Sequence, residues 1–207
     1  MSDKFFNSLI IKFKVILFLL SLIPLCRLIY LGFNDALGAN PIEFIERSTG
    51  TWALVFLMLT LSMTPFRQWS GIKSFIQYRR MLGLYMFFYA SLHIISYVWL
   101  DHWFDLSEIT KDITKHPYVL VGFTAFLLSI PLAITSTKAM MKRLGRRWKL
   151  LHKLIYLIGV LAVLHFLWLV KKDHTEPLVY ASIFFSLIAL RFVYKHRTHF
   201  KLNVIRR

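Results

Sequence analysis

Six apolar runs, each long enough to cross a lipid bilayer as a helix, constrain this chain more than any other feature of it. They cover roughly Val15 to Leu31, Thr51 to Phe66, Met81 to Leu100, Tyr118 to Ile134, Leu150 to Val170 and Leu178 to Tyr194. About 20 residues rising 1.5 Å each cross the roughly 30 Å of hydrocarbon, and a helix satisfies its own backbone there. The second run is short and is expected to extend into its flanks. Hydrophobic residues make up 57% of the 207 and mean hydropathy is +0.57, above what a soluble domain carries. The expected fold is an all-α integral membrane protein, a single six-helix transmembrane domain over residues 1–207 with no soluble domain.

The first run is preceded by Lys4, Lys12 and Lys14, and Ala36-Leu37-Gly38 mimics a small-x-small cleavage site, which together resemble a signal peptide. Against that, the run is long for such a segment and contains Pro24 and Arg27. Span 1 is expected to be retained. The connecting segments are short, and the longest, near Phe33 to Gly50 and Asp101 to Pro117, have room for a surface helix at most. No internal repeat, glycine-rich phosphate loop, Ser/His/Asp grouping or nicotinamide fingerprint is evident. Pro131 predicts a kink in span 4, with Ser129 and Thr135 near enough to satisfy freed backbone groups.

A net charge of +16 and a pI near 10.2 would suit nucleic-acid binding on a folded basic face. Here the bases lie between the apolar runs instead. Arg67, Lys73, Arg79 and Arg80 join spans 2 and 3; Lys138, Lys142, Arg143, Arg146, Arg147 and Lys149 join spans 4 and 5; Arg191, Lys195, Arg197, Lys201, Arg206 and Arg207 are read with the tail. The other loops carry the acids Asp35, Glu43, Glu46, Asp101, Asp105, Glu108, Asp112, Asp173 and Glu176 against five bases, Arg47, Lys111, Lys115, Lys171 and Lys172. By the positive-inside rule both termini are expected in the cytoplasm. The single cysteine, Cys26, excludes an intrachain disulfide and a thiolate-held iron–sulfur cluster.

Three histidines lie within apolar spans, where an imidazole is costly unless something engages it. His93 stands thirteen residues beyond Arg80, and His165 eighteen beyond Arg147, depths of about 20 and about 27 Å. Both fall in the outer half of the bilayer on outward-running helices, where they can grip one metal, most readily heme iron, from opposite faces of a porphyrin. His152, five residues beyond Arg147, is about 8 Å in and cannot share that iron. It also sits about 140° around a straight helix from His165, a separation that a distortion near Gly159 would reduce. Ala90, Ser96 and Ala162 are small neighbours that would let a flat macrocycle approach. The plain alternative is that each imidazole hydrogen-bonds across helices as a neutral donor. Two at matching depth, with no Asp or Glu inside the expected spans, favour bis-histidine heme ligation and electron transfer. His102, His116, His174, His196 and His199 fall in loops or the tail, where solvation suffices.

The stretches Gly38 to Leu54 (GANPIEFIERSTGTWAL), Arg79 to Tyr97 (RRMLGLYMFFYASLHIISY) and Thr135 to Leu157 (TSTKAMMKRLGRRWKLLHKLIYL) resemble the MsrQ family, also called YedZ. The Arg-Arg-x-Leu-Gly-Leu and Leu-Gly-x-Arg-Trp segments carry that resemblance most specifically. It implies the ferric-reductase-like transmembrane fold shared with NADPH oxidases and STEAP reductases, with heme b between helices 3 and 5. It puts His93 and His165 as axial ligands and His152 as a ligand of a second heme or a group beside a cofactor. Where NADPH oxidases carry the other helix-3 histidine this chain has Arg79, so the resemblance implies one heme and leaves a second open. FMN is implied by the resemblance alone, with no residue to mark it.

The family role is that of a subunit passing electrons from membrane quinol, or from a separate flavin reductase, across the bacterial inner membrane. The acceptor is MsrP, a periplasmic molybdenum-cofactor enzyme that reduces methionine sulfoxide in oxidised proteins. Two other readings stay open at this point: a stand-alone ferric or oxygen reductase, and a heme-free transporter or assembly factor. The transporter reading lacks inverted repeats or paired interrupted helices. Trp148 and the basic loop from Lys138 to Lys149 are where a quinone head group, flavin phosphate or heme propionate would meet the protein, or else an interfacial anchor with orienting charges. Arg27 is expected to snorkel.

Overall fold

In the computed structural model the backbone is described for residues 3–72 and 75–205, and the side chains for residues 12–72 and 75–194. The side chains of Lys4, Lys73, His196, His199 and the tail bases Lys195, Arg197, Lys201, Arg206 and Arg207 lie outside that description. Among the described residues all regular structure is helical: α1 (Asp3–Phe33), α2 (Pro41–Ser70), α3 (Phe75–Ile95), α4 (Leu106–Lys115), α5 (Pro117–Ile134), α6 (Lys138–Leu144), α7 (Arg146–Leu151), α8 (Leu154–Leu169) and α9 (Thr175–Ile205). Six stretches of them are long and apolar enough to cross a membrane: Lys12–Phe33, Pro41–Ser70, Phe75–Asp101, Pro117–Ile134, Arg146–Leu169 and Thr175–Tyr194.

The second of these extends well beyond its apolar run because its start is written in polar residues. The Asn40 side chain accepts from the Glu43 N–H, Glu43 reaches back to the Asn40 amide, and Pro41 occupies the first helical position. Glu46, read from sequence as a loop acid, therefore lies inside α2. The fifth span departs from a single rod. It breaks between α7 and α8 at His152 and Lys153, not near Gly159, whose missing β-carbon is instead what lets Phe184 of α9 press against α8. Gly145 joins α6 to α7 at φ 50°, ψ −116°, a conformation that side-chain-bearing residues avoid. After His93, α3 widens into a π turn over Ser96–Asp101, and the short amphipathic α4 follows.

The packed centre consists of Leu54, Phe56, Leu57 and Leu61 of α2, Leu82, Tyr85 and Tyr89 of α3, Ile155 and Ile158 of α8, and Phe184 of α9. Phe56 stacks on Tyr89 with ring centres 5.3 Å apart and planes 10° apart. Large side chains on α1, α8 and α9, such as Leu19, Leu164 and Phe192, face outward, as a lipid-facing surface requires. Helix α1 is fastened to α3 by two tyrosines: Tyr85 donates to the Phe18 carbonyl and Tyr89 to the Ser21 carbonyl. Arg27 is exposed, as a snorkelling residue would be.

Proline positions show how freed carbonyls are handled. Pro65 has no N–H for the Leu61 carbonyl, and the Arg191 guanidinium of α9 fills the gap while also bonding the Tyr156 hydroxyl at 2.7 Å. Arg191 thus belongs to the membrane-spanning part of α9 and not to the tail with which its charge was grouped. In α5, Ser129 and Thr135 bond the carbonyls of Phe126 and Pro131, neither of them the Leu127 carbonyl that Pro131 leaves without its helical donor.

Candidate functional site

His93 lies near the end of α3 and His165 near the end of α8, and the bundle brings their rings together with centres 6.3 Å apart and planes crossed at 69°. The neighbours on either side fix what each ring can do. His93 Nδ1 is 3.0 Å from the Glu46 carbonyl on α2. His165 Nδ1 is 2.7 Å from the Tyr118 carbonyl on α5. A carbonyl only accepts, so each Nδ1 carries the proton and each Nε2 keeps its lone pair. That is the tautomer a metal-ligating histidine adopts, with the second nitrogen donating to a backbone carbonyl.

The spacing of the rings fits a shared metal. Two metal–imidazole bonds of about 2 Å, with about 1 Å from each nitrogen to its ring centre, set the centres about 6 Å apart. Two imidazoles alone make a poor site for a bare ion. Among the described residues no group of three or more His, Cys, Asp or Glu converges to complete one. A heme, whose macrocycle supplies four nitrogens and leaves two axial positions, matches the donor set.

Glu46 is the residue at this site that the sequence reading placed elsewhere. Its carbonyl orients His93, and its carboxylate Oε1 is buried with no hydrogen-bond partner among the described residues. The signal that could have found it is the helix start at Asn40-Pro41-x-Glu43, which puts Glu46 into the second turn of α2.

His152 stands apart from the pair, at the opposite end of α8. Its Nε2 is 3.1 Å from the Thr135 hydroxyl, and its ring stacks on Trp148 at 3.9 Å and 27°. Trp148 in turn donates its indole N–H to the Thr135 carbonyl at 3.0 Å. Thr135 spends its own proton on the Pro131 carbonyl at 2.6 Å, so Nε2 of His152 is the donor in this arrangement.

The loop histidines form a separate group beside α4. His116 Nδ1 meets Asp112 Oδ1 at 2.8 Å, the Tyr97 hydroxyl donates to Asp112 Oδ2 at 2.8 Å, and His102 packs its ring on Tyr97 with centres 4.4 Å apart.

Comparison with known proteins agrees with this architecture. The family described as "Ferric reductase like transmembrane component" matches residues 49–170, a stretch that includes His93, His152 and His165. A protein of Herminiimonas arsenicoxydans named "Protein-methionine-sulfoxide reductase heme-binding subunit MsrQ" is 47% identical over 195 residues, covering 93% of this chain and 89% of that protein. Proteins of the same name from Ralstonia nicotianae and Xanthomonas campestris pv. campestris are 49% identical over 86% of the chain and 83% of the relative, and 56% identical over 76% and 72%. No solved structure matches. The chain belongs to the ferric-reductase-like transmembrane family and to the MsrQ family.

Proposed function

We propose that this protein is the heme-binding, electron-transferring membrane subunit of a bacterial methionine sulfoxide reductase system, with His93 and His165 as the axial ligands of one heme b. The observation that carries the reading is the pair of Nδ1-to-carbonyl bonds at Glu46 and Tyr118, which leaves each Nε2 its lone pair for a ligand, with the ring centres 6.3 Å apart. The names of the relatives at 47% and 56% identity support the same reading. A heme held there by His93 and His165 would supply a one-electron carrier.

The chain's own residues hold and orient. The carbonyls of Glu46 and Tyr118 fix the tautomer and the direction of each ring, and the apolar helices around them exclude water. In this reading one membrane domain spans residues 1–207 with both termini in the cytoplasm of the bacterial inner membrane, since the bases cluster at that end. His93 and His165 then face the periplasmic half, where MsrP takes the electrons for repair of oxidised proteins. Quinol or a cytoplasmic flavin reductase delivers them at the other end, where His152 and Trp148 stack beside Thr135. His152 is assigned there as a cofactor-proximal group. A second heme on its Nε2 would require it to release Thr135. FMN, where present, belongs to that same end.

The test is a reduced-minus-oxidised spectrum of the purified chain. Sharp six-coordinate heme bands are expected from the parent, and their loss from both His93→Ala and His165→Ala. Retention of the full signal in both variants would defeat the ligand assignment, and reduction of iron or oxygen with no periplasmic acceptor would move the activity to a stand-alone reductase.

A further inference from the structure

The two histidines sit in two copies of one arrangement, a correspondence that shows as a repeat only once the helices are packed, since the sequence alone makes none evident. In each copy a helix offers a backbone carbonyl, a glycine follows four residues later, and the next long helix returns a histidine whose ring lies against both. Glu46, Gly50 and His93 make the first copy; Tyr118, Gly122 and His165 make the second. The carbonyl residue precedes its histidine by 47 positions in both. Each member recurs at one offset: Glu46 to Tyr118, Gly50 to Gly122 and His93 to His165 are all 72 residues. At the same offset Ala90-x-Leu92-His93 recurs as Ala162-x-Leu164-His165.

Each glycine sits against its histidine ring. A β-carbon on Gly50 would stand 3.2 Å from both Nδ1 and Cε1 of His93, and one on Gly122 would stand 2.8 Å from Nδ1 and 2.9 Å from Cε1 of His165. The second approach is closer than real β-carbons make, and the ring has little freedom to retreat. It is tied through Nδ1 to the carbonyl one turn before the glycine, so turning it away breaks that bond. Gly83 is a useful contrast, because a β-carbon there would meet only the Thr60 side chain, its methyl at 3.6 Å and its hydroxyl at 3.9 Å, both ordinary contacts.

We propose that Gly50 and Gly122 are positioning residues, a matched pair of backstops that fix the planes of the His93 and His165 rings and so the angle at which two axial ligands cross. This rests on the reading of those histidines as heme ligands. The crossing angle matters because each imidazole mixes with the iron orbital perpendicular to its own plane. Parallel rings raise one orbital, whereas rings crossed at 69° raise both toward equality. The low-spin ferric electron paramagnetic resonance spectrum reads that difference directly, and the reduction potential shifts with it.

The experiment compares Gly50→Ala, Gly122→Ala and the control Gly83→Ala in the full chain with its heme, by heme occupancy, ferric resonance spectrum, midpoint potential and helicity. Gly122→Ala is expected to lose most of its heme, a several-fold drop in occupancy at unchanged helicity. Gly50→Ala, with the milder contact, should keep heme but show a displaced low-spin signal and a shifted potential. Gly83→Ala should match the parent in all four. If Gly122→Ala does not fold, the Gly50→Ala spectrum decides. A parent chain lacking a bis-histidine heme overturns this proposal together with the ligand assignment. A parent with that heme, and glycine variants whose occupancy and resonance equal the parent's, overturns the backstop role alone.

Discussion

The guanidinium of Arg191 is hydrogen-bonded to the backbone carbonyl of Leu61, 130 residues earlier in the chain. That carbonyl is the one Pro65 deprives of its helical donor, so a charged side chain in an apolar helix completes the backbone of another. Its guanidinium also lies over the Tyr156 ring, 5.5 Å from the centroid, which adds a cation–π contact. Arg191→Leu should destabilise the solubilised protein by about 1–2 kcal/mol in thermal unfolding. In a Pro65→Ala background, residue 65 regains an N–H for Leu61 and the cost of Arg191→Leu should shrink. Equal costs in both backgrounds would mean the carbonyl bond contributes nothing.

Gly159 of α8 leaves the space that the Phe184 ring of α9 occupies. Phe184 is 1% exposed, and a β-carbon on Gly159 would fall on its ring carbons. Gly159→Ala should therefore cost about 1–3 kcal/mol through overpacking, and Phe184→Leu should recover part of that loss. A Gly159→Ala chain with the parent's melting temperature would show that the ring moves aside freely.

Asp112 fastens α4 to the end of α3. Burial pushes its carboxyl up, but the hydrogen bonds from His116 and Tyr97 and the charges of His116 and His102 outweigh that, and it is held below its ordinary range. With the folded value lowered, the contribution is present above the unfolded carboxylate pKa of about 3.9 and is lost as pH falls through the folded one. Hydrogen exchange across Leu106–Lys115 should accelerate, beyond the intrinsic pH effect, only in acid below the carboxylate range. Asp112→Asn should show the looser state at neutral pH. Protection that is the same in both proteins at every pH would contradict this anchoring role.

The six membrane helices were legible because apolar runs of that length have few other fates. The pairing of His93 with His165 was legible because helix rise converts sequence distance into depth. What stayed hidden depends on groups with no side-chain signature. The carbonyls of Glu46 and Tyr118 that orient the rings could have belonged to any residue, and the Leu61 carbonyl that receives Arg191 is visible only once α2 and α9 are packed. The break at His152 follows from its contacts with Trp148 and Thr135, whereas the sequence offered Gly159 as the weaker-looking point. Glu46 was misplaced because hydropathy begins span 2 only at Thr51, ten residues after capping chemistry begins the helix at Pro41.

Heme-to-protein stoichiometry in the purified chain and in three variants decides whether His93 and His165 hold the heme. One heme per chain is expected in the parent and in His152→Ala, and none in either His93→Ala or His165→Ala. Full stoichiometry in His93→Ala and His165→Ala, with loss in His152→Ala, would contradict that assignment.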